Sequence, residues 1–498
     1  MALYTAPFSD GSPAASQWPI PPRHFFDYEI YPEKGSAGST FYHSHVGLQA
    51  GTAAGALIIE DQTPPPFKYD EDRIIFLTDY YNRTDKTMEE GLVANPFVWQ
   101  GETNNVLVNG FGKPINSTSP AVGTCKLETI SVEPGKTYRL RFISSTSLSF
   151  LSIGLEGHGN LTIIEVDGHY VKPTSTNLLQ IGSGQRYSIL FRAKSQAELN
   201  EAKKQSYFLQ METRERPTNL TSYAVISYSG NSTVSPPSTS PLTLPPTIKG
   251  WLDYDISPLE PYDLFPTVVS RSVVLSIFQN NSYNATLTEK PQYIWSVLGN
   301  IPWYDTTPHK PLLVALYQKD QSILPNHTVA LANGGYDPVK NAFTAKMGEV
   351  IDILIEAAGM ARIGDVHPFH LHGAHFWDLG SGVGPYNATS HRATMAAAAA
   401  KGWAPIKRDT SMLYRGNTTV GTVSDWRLWR VKVTDPGVWM LHCHTLSHMV
   451  MGMQSLWMLG DAGDLAPLPA GSEQSYLVYG GDAYGNANKS ARVVDWYA

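Results

Sequence analysis

Cysteine is nearly absent from this chain: Cys125 and Cys443 are the only two in 498 residues. Two thiols cannot build a disulfide framework, so packing must hold the fold together. Charge is scarce too, at 16% of residues with a net of −7. That balance gives no basic footprint for nucleic acid. No apolar run reaches the roughly 20 residues that a helix needs to cross a bilayer, so no membrane-spanning helix is expected. The opening residues MALYTAPFSDGSP have neither a charged start nor an apolar stretch, and no signal peptide is visible in them.

What is present points to an ordered protein. Hydrophobic residues are 42% of the chain, a globular composition. Its length is too great for one core and implies two to four domains. N-x-[ST] sequons stand at Asn82, Asn116, Asn160, Asn219, Asn231, Asn280, Asn284, Asn326, Asn387, Asn417 and Asn488. Together they favour a secreted glycoprotein, so the full-length protein is expected outside the cell.

The pattern is β throughout. GALIIED (55–61), RIIFLTDYY (73–81), RYSILFRAK (186–194), RSVVLSIFQ (271–279) and GEVIDILIEAAG (348–359) are short runs rich in β-branched and aromatic residues. LETISVEPGKTYRLRFIS (127–144) reads as two strands about a Pro-Gly turn, and LTIIEVDGHYV (161–171) as a hairpin turning at Asp-Gly. The expected class is all-β, built of sandwiches or barrels. DQTPPPFKYD (61–70) is a Pro-rich joint, and 232–259 is a Ser/Thr/Pro-rich linker. The pieces are then 1–62, 70–231 and 260–498. The first is short for a sandwich of roughly 100 residues. The Ala run 396–400 carries no chemistry.

Eight of the fifteen histidines fall in three short segments: HSH (43–45), HPFHLH (367–372) and HCHTLSH (442–448). In an extended strand, H-x-H puts both imidazoles on one face, where they can share a metal centre. Cys443, His448 and Met453 follow at intervals of five. A distant histidine would complete a His₂Cys set with a weak axial Met, the ligand set of a blue electron-transfer copper. A buried structural cysteine is the plainer alternative. Against it, His442 and His444 project opposite to Cys443 and could grip a second centre behind the first.

With FYHSHVGLQAGTAAGALIIED (41–61), HPFHLHGAHFW (367–377), RDT (408–410) and HCHTLSHMVMGMQ (442–454), the chain resembles the multicopper oxidases over nearly its whole length. That family includes laccases, ascorbate oxidases and ferroxidases; the nearest resemblance is to fungal laccase-like or ascorbate-oxidase-like members. The resemblance implies three cupredoxin domains. It also implies single-electron oxidation of a substrate at type 1 copper and reduction of O₂ to water at a trinuclear cluster. His367, Cys443 and His448 would bind type 1 copper, with Met453 axial. His370 would bind type 2 copper, and His43, His45, His372, His442 and His444 the type 3 pair. Cys443, His442 and His444 would carry the electrons, and Asp10 matches a carboxylate near the cluster. The partners implied are O₂ and a small phenolic or aromatic reductant of a monomeric protein.

Several departures from the family set further expectations. Its H-W-H-G motif is absent, so the first domain is expected to be incomplete at its N-terminus. The trinuclear cluster would then be incomplete too, and the literal chain unstable or inactive. Leu446 stands where most relatives have a proton-handling acid, so either Asp10 carries that traffic or the rate is lower. Ala374 replaces a histidine that is not a ligand. Cys125 has either lost a disulfide partner or is a buried thiol. Glu165, Asp167 and His169 read as turn and surface residues, with pocket groups as the alternative. Arg408 and Asp409 read as an ion pair within the third domain. Ferroxidase, ascorbate oxidase and an electron-transfer-only copper protein remain the alternatives to laccase-like phenol oxidation.

Overall fold

Alternating apolar residues need a surface to cover, and here pairs of sheets cover each other. The computed structural model describes residues 6–20, 25–26, 28–30, 32, 37–113, 125–230, 234–260, 265–281, 293–298, 301–304, 310–360, 365–415, 422–468 and 476–479. They are mostly β, as expected, with a few short helices. Gly38–His43 pairs with Ala54–Ile59 in a two-stranded sheet. Between Glu71 and Ser227 the chain forms a five-stranded and a six-stranded sheet that share one core. Between Arg271 and Leu459 it forms two six-stranded sheets around another. That second core is aromatic: Trp429 stacks on Phe376 with centroids 3.8 Å apart, and Trp457 on Phe343 at 4.3 Å. Each such pair contributes about 1 kcal/mol beyond its buried area.

The Asp-Gly hairpin forms as read: Leu161–Val166 pairs with His169–Thr176, and Asp167 and Gly168 take φ of +46° and +83°, the left-handed pair that a tight two-residue turn needs. The strands about Pro134 and Gly135 also form, as Thr129–Ser131 and Thr137–Ser144, but they belong to different sheets. That turn therefore carries the chain across the sandwich. The Ala run lies at the end of a helix, Ala388–Ala399.

The Pro-rich stretch after 232 has no helix or strand among its described residues, yet it is clamped. The buried Gln180 amide donates to Ile248 O (2.9 Å) and accepts from Ile248 N (2.7 Å); Gln210 treats Leu242 in the same way (2.9 and 3.0 Å). These side-chain bonds replace the ladder that prolines cannot join.

Three expectations need correction. Arg408 and Asp409 do not pair with each other. Arg408 Nε donates to Asp167 (2.6 Å), and Arg186 grips Asp409 through two bonds (2.5 and 2.7 Å). Successive residues on a strand point to opposite faces, so neighbours find different partners. These pairs tie the C-terminal sandwich to the middle one. Accordingly Glu165 and Asp167 are buried at 1% and 0% exposure, neither surface nor pocket groups. Arg139 and Ser188 hold Glu165, because a buried carboxylate requires compensating charge. Cys125 is exposed, not a buried thiol. Of the sequon asparagines, Asn82, Asn160, Asn219, Asn326 and Asn387 are exposed. Asn116, Asn231, Asn284, Asn417 and Asn488 lie outside the described residues, as does the side chain of Asn280.

Candidate metal centres

Strand Gly437–Cys443 is buried along its whole length between Gln454–Leu459 and His367–Leu371. Trp439, Leu441 and Cys443 join the core between the two sheets, while Val438 and Met440 join a separate apolar cluster. His442 shares their parity and so faces away from Cys443. On the neighbouring strand Phe369 lies opposite Cys443 and His370 opposite His442. Parity therefore sends His367 to the thiol side, and His370 and His372 to the other. Two side-chain groups result.

In the first, Cys443 Sγ lies 3.7 Å from Nδ1 of both His367 and His448, and the two Nδ1 atoms are 3.1 Å apart. His448 returns to the site on a short helix, Leu446–Val450, which starts straight after the HCH triplet. Backbone bonds from Cys443 N to Met453 O (3.0 Å) and from Met453 N to His448 O (2.9 Å) close the loop. Met453 is fully buried there. The Trp295 ring packs at 5.0 Å from His367 and 4.7 Å from His448.

The second group is all histidine. His45, His372 and His442 offer ring nitrogens within 4.8 Å of one another. The His43 and His444 rings lie 5.1 Å apart, and His370 is 4.8 Å from His372. The structure thus brings together all eight histidines singled out from the sequence, with Cys443 and Met453, as two adjacent groups.

Hydrogen bonds fix which nitrogen each ring offers. In the second group the Nδ1 atoms are tied: His43 to Ser44 O (2.8 Å), His442 to Cys443 O (2.9 Å), His370 to Asp409 O (2.9 Å), His444 to Ser183 Oγ (2.8 Å) and His372 to the Asp10 carboxylate (2.8 Å). Carbonyls and carboxylates only accept, so those Nδ1 atoms carry the proton and Nε2 keeps a lone pair. The first group is the reverse, with both Nδ1 atoms facing the thiol.

Burial, then mutual repulsion, pushes His370, His442 and His444 well below their ordinary pKa; His45 behaves likewise. Burial and the neighbouring His448 lower His367 to about 3. Burial pushes the Cys443 thiol up to about 12. Burial, the largest single influence, would raise Asp10, but His372, the Ser12 hydroxyl and His45 together outweigh it and hold the carboxyl at about 2.

These rings fit a metal. His372 Nε2 and His442 Nε2 are 3.0 Å apart, and both carry lone pairs once their Nδ1 protons are committed. Two lone pairs facing each other inside a protein repel, and a cation between the rings removes that repulsion. Neutral imidazoles and a thiolate are the donors copper prefers. Two glycines make room for rings in and beside the site. Gly373 (φ +71°) lies so close to Trp439 that a Cβ would sit 2.2 Å from its ring; at Gly184 (φ +83°) a Cβ would sit 2.9 Å from the His444 ring.

Some residues of the site escaped the sequence reading. Ser12 and Ser16 donate to Asp10 (2.6 and 3.0 Å). Ser183 orients His444, and Asp365 lies 3.5 Å from His448 Nε2. Only Asp365 had a usable signal, two residues before His367. Leu446 is buried and its N–H donates to Ser147 O (2.8 Å). Ala374 is buried as well.

Comparison with known proteins accords with this geometry. Sequence models of the multicopper oxidase family match residues 1–64, 71–231 and 305–460. Laccase-like multicopper oxidase 1 of Thermothelomyces thermophilus is 41% identical over 99% of this chain and 82% of its own length. Multicopper oxidase terE of Aspergillus terreus is 42% identical over 97% and 95%. Among solved structures, Fet3p, described as a multicopper oxidase that functions in iron import, superposes with a TM-score of 0.69 over 93% of this chain and 80% of its own, at 20% identity. The chain belongs to the multicopper oxidase family, whose members are copper oxidoreductases that use O₂.

Proposed function

We propose that the chain is a laccase-like oxidase, taking single electrons from phenolic or aromatic reductants. His367, Cys443 and His448, with Met453, would hold type 1 copper. His370 would hold type 2 copper, and His43, His45, His372, His442 and His444 the type 3 pair. Copper at these places would supply one-electron acceptance and the four-electron reduction of O₂ to water. Cys443 is joined directly to His442 and His444, which gives a short covalent path between the groups. Asp10 would keep His372 in its Nε2-offering form and handle protons near O₂. The exposed sequon asparagines support the further reading that the full-length protein is a secreted glycoprotein.

The observation that carries the phenol reading is a cavity of about 360 Å³ against His448, walled by Phe97, Trp99, Tyr293 and Trp295. Aromatic walls hold planar rings by stacking and edge contacts. A second reading, oxidation of Fe²⁺, draws on Glu102, Glu215 and Asp365, which line the same cavity. Arg216 stands against it. Its guanidinium grips Glu102 through two bonds (2.7 and 2.8 Å) and Asp365 through a third (2.6 Å), so a metal ion would have to displace a buried cation.

The test is O₂ uptake by the copper-loaded full-length protein with 2,6-dimethoxyphenol, ascorbate and Fe²⁺ in parallel. Phenol turnover with four phenols oxidised per O₂ is expected. Saturable Fe²⁺ or ascorbate oxidation without phenol turnover would overturn the reading. Blue colour without any O₂ uptake would leave an electron-transfer protein.

A further inference from the structure

The charges of the cavity beside His448 carry one more step, which rests on reading that cavity as the reductant site. We propose that the cavity selects its reductant by charge, admitting neutral and cationic aromatic molecules and turning away anionic ones.

Glu102, Glu215 and Asp365 line the cavity, and among the described residues Arg216 is the one lysine or arginine that lines it with them. Three carboxylates against one guanidinium leave two negative charges. Arg415 approaches Glu215 at 3.8 Å but is not a lining residue; its side chain is 35% exposed. Counting it still leaves one negative charge.

Arg216 is also committed. Nε and Nη2 serve Glu102, and Nη1 serves Asp365, while the side chain is only 8% exposed. An arginine that recognises a carboxylated ligand must offer a free pair of N–H groups in a fork. To do so here it would have to leave one of two carboxylates unpaired in a half-buried site. The guanidinium lies 5.7 Å from the Trp99 ring, which restrains it further. The aromatic walls add to the selection, because ring faces attract cations and accept neutral rings.

Glu215 has a second feature. It sits between strands Ser206–Arg214 and Thr221–Ser227 with φ of +58°. Non-glycine residues rarely adopt that region, and residues held there cluster at functional sites. The turn places Glu215 and Arg216, neighbours in sequence, in the wall of one cavity.

The experiment uses an isosteric pair of probes at pH 7: 4-hydroxy-3-methoxycinnamamide, which is neutral, and 4-hydroxy-3-methoxycinnamate, which is anionic. Equilibrium dialysis against the metal-free full chain in about 20 mM salt should show the amide bound roughly tenfold more tightly, the order expected for one net like charge in a partly solvated cavity. In about 0.3 M salt the gap should shrink several-fold, since screening acts within a few ångströms. Glu215→Gln should lower the amide-to-carboxylate ratio about threefold, and the ratio of kcat/KM in the copper-loaded protein should follow. Equal binding of the two probes, or tighter binding of the carboxylate, overturns the proposal. A binding gap with no turnover of either probe supports charge selection and overturns the phenol reading. Equal binding with good turnover of both does the opposite.

Discussion

The thiol-containing group and the all-histidine group sit on opposite faces of one strand, and they are held in opposite ways. Around Cys443 the rings are clamped by packing: Trp295 lies against both histidines, and His367, Cys443 and His448 are all at 2% exposure or less. Around His372 and His442 the rings are aimed by hydrogen bonds that they make to carbonyls, hydroxyls and one carboxylate, and His43 and His45 remain only partly covered. One group offers Nδ1 and the other Nε2. The lesson is that the same backbone alternation can serve two centres with different needs. A rigid apolar shell suits an electron relay, while a polar scaffold suits a site that must accept O₂ and protons.

The comparison can be broken first at the strand itself. Cys443→Ser removes the soft ligand from one face only. The copper-loaded variant should lose its intense visible absorption and about one copper per chain, with oxidase turnover down at least about 100-fold. Loss of all copper would show that the two groups are not independent. A milder break is Asp10→Ala, which frees the His372 ring. Metal affinity of the histidine group or O₂ turnover should fall about 10- to 100-fold, with the visible band unchanged. A weakened band would mean that Asp10 supports both faces.

Acid should sharpen the contrast with a smaller effect. Burial lowers His158 and His169, which belong to neither group, to about 4 from an ordinary 6.5. Below pH 6.5 the unfolded chain takes up protons that the folded chain refuses, so stability falls with pH until about 4. Between pH 6.5 and 5.5 the cost is about 1 kcal/mol for each such histidine. Denaturant titrations should show this loss with and without copper. The copper-loaded protein should lose more, because copper holds Cys443 as the thiolate, while the unfolded chain keeps that proton at these pH values. Equal losses in the two forms would contradict the assignment of Cys443 to a metal.

Much of this was legible because the residues that matter are close in sequence. HCHTLSH puts four ligands, Cys443 bridging the centres among them, within one strand and one helical turn, so spacing alone separates them. Strand periodicity likewise exposed the all-β class and the Asp-Gly hairpin. Legibility failed where partners lie far apart. Arg408 beside Asp409 looked like a local pair, yet each reaches across to the middle sandwich for Asp167 and Arg186. Glu165 looked like a turn residue because the charge that lets it be buried, Arg139, stands on another strand of the same sheet.

By itself the sequence determined the donor types, their parity on strands and their family. Those follow from local chemistry and the two-residue repeat of a β-strand. Tertiary structure decided which nitrogen each imidazole offers, which histidines meet, and how the cavity beside His448 is charged. Those properties belong to groups that the chain brings together from far apart in sequence, Asp10 with His372 and Arg216 with Asp365 among them, and no local pattern records such a meeting.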